Sequence, residues 1–63
     1  MPIVSINMIA GRTDDQKAEL IRAVAVSVST ALDAPIETVR VMILELPSQN
    51  WGIGPVTAAS RGR

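Results

Sequence analysis

The sequence predicts an α/β fold: a single βαβ protomer with parallel strands and a short C-terminal hairpin or arm, completed by oligomerisation. Two segments that alternate apolar and polar residues flank one long stripe at helical spacing. Strand, helix and strand in that order make parallel strands joined by a right-handed crossover. The length, 63 residues, allows one domain spanning 1–63. A chain of that size buries only about 60% of its unfolded surface, so small folds usually need a staple. The sequence has no Cys and no His, which removes disulfides and the usual zinc ligands together. Yet 48% of the residues are apolar, and two strands are too few for an independent sheet. Other copies of the chain are the staple that remains.

Residues 2–9 read as the first strand, with Val4, Ile6 and Met8 on one face and Ile3, Ser5, Asn7 and Ile9 on the other. Pro2 has no amide hydrogen to give a ladder, which the first residue of a strand tolerates. Ala10-Gly11-Arg12 breaks the pattern. Thr13-Asp14-Asp15-Gln16 then reads as a capping box, with two aspartates at the positive end of the helix. The helix should run from about Asp14 to Leu32. Leu20, Ile21, Val24, Ala25, Val28, Ala31 and Leu32 form its apolar stripe. Lys17 lies at the stripe's edge, its stem along the core and its ammonium in water. Asp33-Ala34-Pro35 ends the helix, because proline disfavours helical geometry in the residue before it. Thr38 to Leu46 reads as the second strand, with Val39, Val41 and Ile43 on one face and Arg40, Met42, Leu44 and Leu46 on the other. Pro47, Gly52, Gly54 and Pro55 punctuate the remainder around Trp51, as a short hairpin or an extended arm would.

Six basic residues balance six acidic ones, so no long-range attraction to nucleic acid or anionic membrane is expected. Arg61-Gly62-Arg63 reads as a small, frayed basic tail. The opening lacks the pattern of a signal peptide, and no run approaches the roughly 20 apolar residues of a membrane span. A cytoplasmic protein is the expectation.

Without Cys or His there is no Cys–His pair and no Ser–His–Asp triad, and no phosphate-binding glycine motif is present. Carboxylates, Lys17, arginines, hydroxyls and the amino terminus remain. Pro2 follows the initiator Met, and a small second residue generally permits removal of that Met. The chain would then begin with a secondary amine. An α-amino group has a reference pKa of about 7.7–8.0; burial and nearby cations lower it, toward the range that reversible proton transfer needs. The plainer reading of Pro2 is the start of an edge strand. Arg40 lies mid-strand among Met42, Leu44 and Leu46, where a guanidinium is costly unless paired or open to a cavity. Its fork suits a carboxylate ligand, or an ion pair with Glu37, Glu45 or a neighbour's acid. Arg12 alone reads as solvated, and Trp51 alone as core or interface.

Taken together, Pro2-Ile3, Gly11-Arg12, the acidic-Gln16-Lys17 helix start, Leu20-Ile21, Asp33-Ala34-Pro35, Val39-Arg40-Val41 and Trp51-Gly52-Ile53-Gly54 resemble the 4-oxalocrotonate tautomerase family. The resemblance implies a homohexamer built as a trimer of βαβ dimers and an isomerase of aromatic-compound degradation. It uses no cofactor and no metal. Pro2 would shuttle a proton between the enol oxygen of a 2-hydroxydienoic acid, such as 2-hydroxymuconate, and a distant carbon. Arg40 would bind the carboxylate and 2-oxo end, Arg12 the far carboxylate, and Trp51, where the family usually has Phe, would wall the pocket. The partner is thus a small enol carboxylate or dicarboxylate. The arginines and the aromatic would come from neighbouring protomers. Two alternatives stand beside this reading. Haloacrylate hydration needs an acid to activate water, and no Asp or Glu follows Glu45. A non-catalytic assembly or binding protein of the same fold would follow if Met1 were retained, since the Pro2 nitrogen would then be an amide.

Overall fold

A computed structural model describes all residues from Met1 to Arg63. Strand β1 (Ile3–Ile9) leads into helix α1 (Asp14–Leu32), which returns the chain to strand β2 (Arg40–Leu46). The strands pair in parallel, from Ile3 opposite Arg40 to Ile9 opposite Leu46. A short antiparallel hairpin of β3 (Gly52–Ile53) and β4 (Val56–Thr57) follows. Its two-residue loop begins at Gly54, whose φ of 60° fits the first central position of a type II′ turn.

The caps form as the sequence requires. The Thr13 hydroxyl accepts from the Gln16 amide at 3.1 Å, and the Gln16 side chain accepts from the Thr13 amide at 3.0 Å. Asp33 ends the helix at φ 53°, a left-handed conformation that Asp adopts more readily than most side chains. The expected second strand is too long at its start: Ile36–Thr38 form a turn of 3₁₀ helix and pairing begins at Arg40. Pro35 sets that turn, its carbonyl accepting from the Thr38 amide at 3.0 Å and the Thr38 hydroxyl at 2.7 Å. Thr38 therefore bonds locally where a strand residue would bond across.

Val4, Ile6 and Met8 of β1 and Val41 and Ile43 of β2 turn toward α1 and are half-buried, as are Leu20, Val24, Ala25 and Val28 on the helix. Val39 and Ala58 are the only buried residues, and only Ala58 is wholly covered. Part of the helical stripe finds no cover: Ile21 and Leu32 are exposed. The reason is geometric. Two strands about 4.8 Å apart make a floor narrower than the stripe, and a 19-residue helix is about 28 Å long against about 23 Å for seven strand residues.

The other face of the sheet is bare. Ile3, Met42, Leu44 and Leu46 stay 65%, 46%, 50% and 45% exposed. The chain presents 4561 Å² to solvent, against about 3,900 Å² for a compact monomer of its mass. Its radius of gyration is 14.5 Å within extents of 42 × 24 × 13 Å, where a compact chain of this length would have about 10.6 Å. The excess comes from an arm that packs mainly on itself and from a sheet with one face uncovered.

Candidate active site

The parallel register brings Pro2 and Arg40 to the same end of the sheet. Ile3 pairs with Arg40, and the Pro2 carbonyl accepts from the Arg40 amide at 3.0 Å. Pro2 is half-buried, with Met1 exposed ahead of it. The Arg40 side chain is exposed and folds back over the preceding turn, donating to the carbonyls of Glu37 at 2.7 Å and Val39 at 3.3 Å. It has no carboxylate partner: the Glu37 side chain makes no ion pair, and Glu45 is taken by Lys17. Two carbonyls orient the guanidinium without neutralising it, leaving donors for an anion.

Arg12 and Trp51 lie at the other end. Arg12 lies three residues beyond β1, which itself runs about 23 Å from the Pro2 end. Trp51 opens the arm that follows β2, its carbonyl accepting from the Ala58 amide at 2.7 Å and its ring half-buried. Within one chain the four candidate residues therefore form two half-sites, Pro2 with Arg40 and Arg12 near the arm. A single protomer does not bring them together. Arg12 lines a concavity of about 370 Å³ with Ile9, Ala10, Gly11 and Arg63. It also borders a smaller one, about 210 Å³, with Met8, Gln16, Lys17 and Leu20.

Lys17 does more than the sequence suggests. Its ammonium lies 2.9 Å from the Glu45 carboxylate and 3.5 Å from Asp14, tying the first turn of α1 to the end of β2. The hydrogen bond to Glu45 holds its pKa above the ordinary 10.5. On the outer face of the helix, Arg22 pairs with Glu19 and keeps that carboxyl below its ordinary value through the hydrogen bond and the charge. No three carboxylates converge as a metal ion would require.

A family model described as "Tautomerase enzyme" matches residues 2–61. The chain is 48% identical over 63 residues to 2-hydroxymuconate tautomerase of Stutzerimonas stutzeri, covering the whole of both chains. Its fold is similar to the crystal structure of an apo unfused 4-OT at 45% identity and a TM-score of 0.91, covering 95% of this chain and 98% of that one. It is also similar to a heterohexamer 4-oxalocrotonate tautomerase from Chloroflexus aurantiacus J-10-fl, at 39% identity and a TM-score of 0.89, over 94% and 95% of the two chains.

Proposed function

The chain belongs to the tautomerase family, and on that footing we propose that its site interconverts 2-hydroxymuconate and its 2-oxo isomer. It is an enol–keto tautomerase acting on hydroxydienoic acids. With Met1 removed, Pro2 presents a secondary amine. That nitrogen takes the proton from the enol hydroxyl as the carbonyl forms at the same carbon. The double bonds shift along the chain, and the nitrogen returns a proton to a distant carbon. Substrate and product are isomers, so the balance closes without a cofactor. Arg40 holds the carboxylate and 2-oxo end and stabilises the negative charge that develops on oxygen. Arg12 holds the far carboxylate, and Trp51 walls the pocket, lowering the local dielectric and with it the amine's pKa.

The observation that carries this reading is Arg40: an exposed guanidinium oriented by two carbonyls and paired with no acid, free to face the Pro2 of a neighbouring protomer. The length of β1 between Pro2 and Arg12, about 23 Å, supports a site shared across the assembly. We assign a homohexamer of three dimers, in which neighbours supply the residues that Pro2 lacks. No helix is long and apolar enough to cross a membrane, and we place the protein in the cytoplasm.

Intact mass comes first as a test. Loss of Met1 is required, and protein from its native host that retains it sinks proline catalysis and promotes the non-catalytic reading. Arg40→Ala should then lower turnover of 2-hydroxymuconate by about 10²–10³-fold while the elution volume of the assembly stays unchanged. Unaltered turnover would remove Arg40 from the mechanism.

A further inference from the structure

The turn before β2 holds Arg40 by a single nitrogen. Arg40 Nη1 donates twice, to the carbonyls of Glu37 at 2.7 Å and Val39 at 3.3 Å. Its Nε and Nη2 make no bond within the chain, to a carbonyl or to an acid. Those two nitrogens form the edge of the guanidinium fork that meets a carboxylate side-on. The chain shows that grip elsewhere: Arg22 takes the Glu19 carboxylate with its Nε and Nη2. In Arg40 the same edge is left open.

What fixes the held side is the 3₁₀ turn Ile36–Thr38. The Thr38 amide and hydroxyl both donate to the Pro35 carbonyl, at 3.0 Å and 2.7 Å, and the Val39 amide donates to Ile36 at 3.1 Å. Val39 is buried, which seats the turn against the protomer. Apart from Arg40, Thr38 is the only residue whose side chain bonds to this turn. A side chain with five donors on a flexible stem has many ways to point. The turn removes most of them by engaging Nη1. Resting on the tautomerase reading, we propose that Thr38 is a positioning residue. Its hydroxyl fixes the turn that engages Nη1, and so aims the Nε and Nη2 edge of Arg40 at the substrate's carboxylate and 2-oxo end. Without the hydroxyl the Pro35 carbonyl keeps its amide bond, so the turn loosens rather than unfolds.

The test uses the assembled enzyme with Thr38→Val, which keeps the shape and loses the donor, and Thr38→Ser, which keeps the donor. Each is made alone and combined with Arg40→Ala. Steady-state kinetics are measured on 2-hydroxymuconate. Calorimetry with muconate, which has no enol hydroxyl to tautomerise, reads carboxylate binding separately from turnover. Thr38→Val should lower kcat/KM and weaken muconate binding by about fivefold, the weight of one local hydrogen bond. Thr38→Ser should stay close to the wild type in both. With Arg40→Ala already in place, Thr38→Val should cost nothing further, because no guanidinium remains to be aimed. Equal losses with and without Arg40 would show a merely structural role and overturn the assignment. So would a Thr38→Val enzyme equal to the wild type, or a Thr38→Ser enzyme as impaired as Thr38→Val. A wild type whose muconate binding depends on the Thr38 hydroxyl, yet which leaves 2-hydroxymuconate unconverted, keeps the positioning role and refutes the tautomerase reading. One that converts 2-hydroxymuconate while Thr38→Val loses nothing does the reverse. Failure of the wild type in both measurements refutes both.

Discussion

Leu44→Ala should separate the assembly without disturbing the protomer. Leu44 lies on the sheet face that turns away from α1 and keeps 50% of its surface in water, so truncation removes little that the single chain uses. Fully burying a leucine is worth about 1.5–3 kcal/mol, so covering the exposed half in an interface is worth about 1 kcal/mol per copy. If two chains meet across this face, both copies lose it, about 2 kcal/mol per pair. That is roughly a thirtyfold rise in the dissociation constant of the pair. Sedimentation velocity across a dilution series should show the variant dissociating at about thirtyfold higher concentration than the wild type. Tautomerase activity should fall over the same range, because one chain holds Pro2 and Arg12 at opposite ends of β1. Circular dichroism of the undiluted variant should match the wild type. The reasoning is refuted if dissociation is unmoved, or if the separated chains keep full specific activity.

Val39→Ala, at one of the two buried positions, should cost about 2 kcal/mol and appear as a lower denaturation midpoint at fixed protein concentration. Thr13→Ala removes the hydroxyl half of the capping box and should cost about 1 kcal/mol in the same assay. Glu45→Gln breaks the bridge to Lys17. Because that bridge raises the Lys17 pKa, its contribution is complete below the ordinary lysine value and is lost as pH rises through the raised one. The variant's melting temperature should therefore fall below the wild type's at neutral pH, less so in high salt, and the gap should close at strongly alkaline pH. For Glu19 the sign is opposite: its depressed pKa gives a contribution present above the ordinary carboxylate range and lost as pH falls through the lower value. Acid titration of the melting temperature in wild type and Glu19→Gln should converge there.

The order of the elements was legible in the sequence because the signals that set it act over a few residues. Alternation placed Val4, Ile6 and Met8 on the helix side of β1, and the Thr13–Gln16 box marked the start of α1 to the residue. A shortage of cover was legible too, in the high apolar fraction of a chain with no disulfide to close it. Other features depend on partners far along the chain. The parallel register sets Arg40 beside Pro2 and sends Arg12 to the opposite end of the sheet, and no local pattern contains that register. Thr38 is the exception, misread as strand although its competing partner is local: Pro35, three positions earlier, accepts from both its amide and its hydroxyl. Lys17 meets Glu45 across 28 positions of sequence. Arg63 is the clearest case. The tail read as frayed, and the concavity that Arg63 lines belongs to a loop some fifty residues earlier. Periodicity and capping are short-range properties of the backbone. Which charges face one another is settled only when distant segments pack.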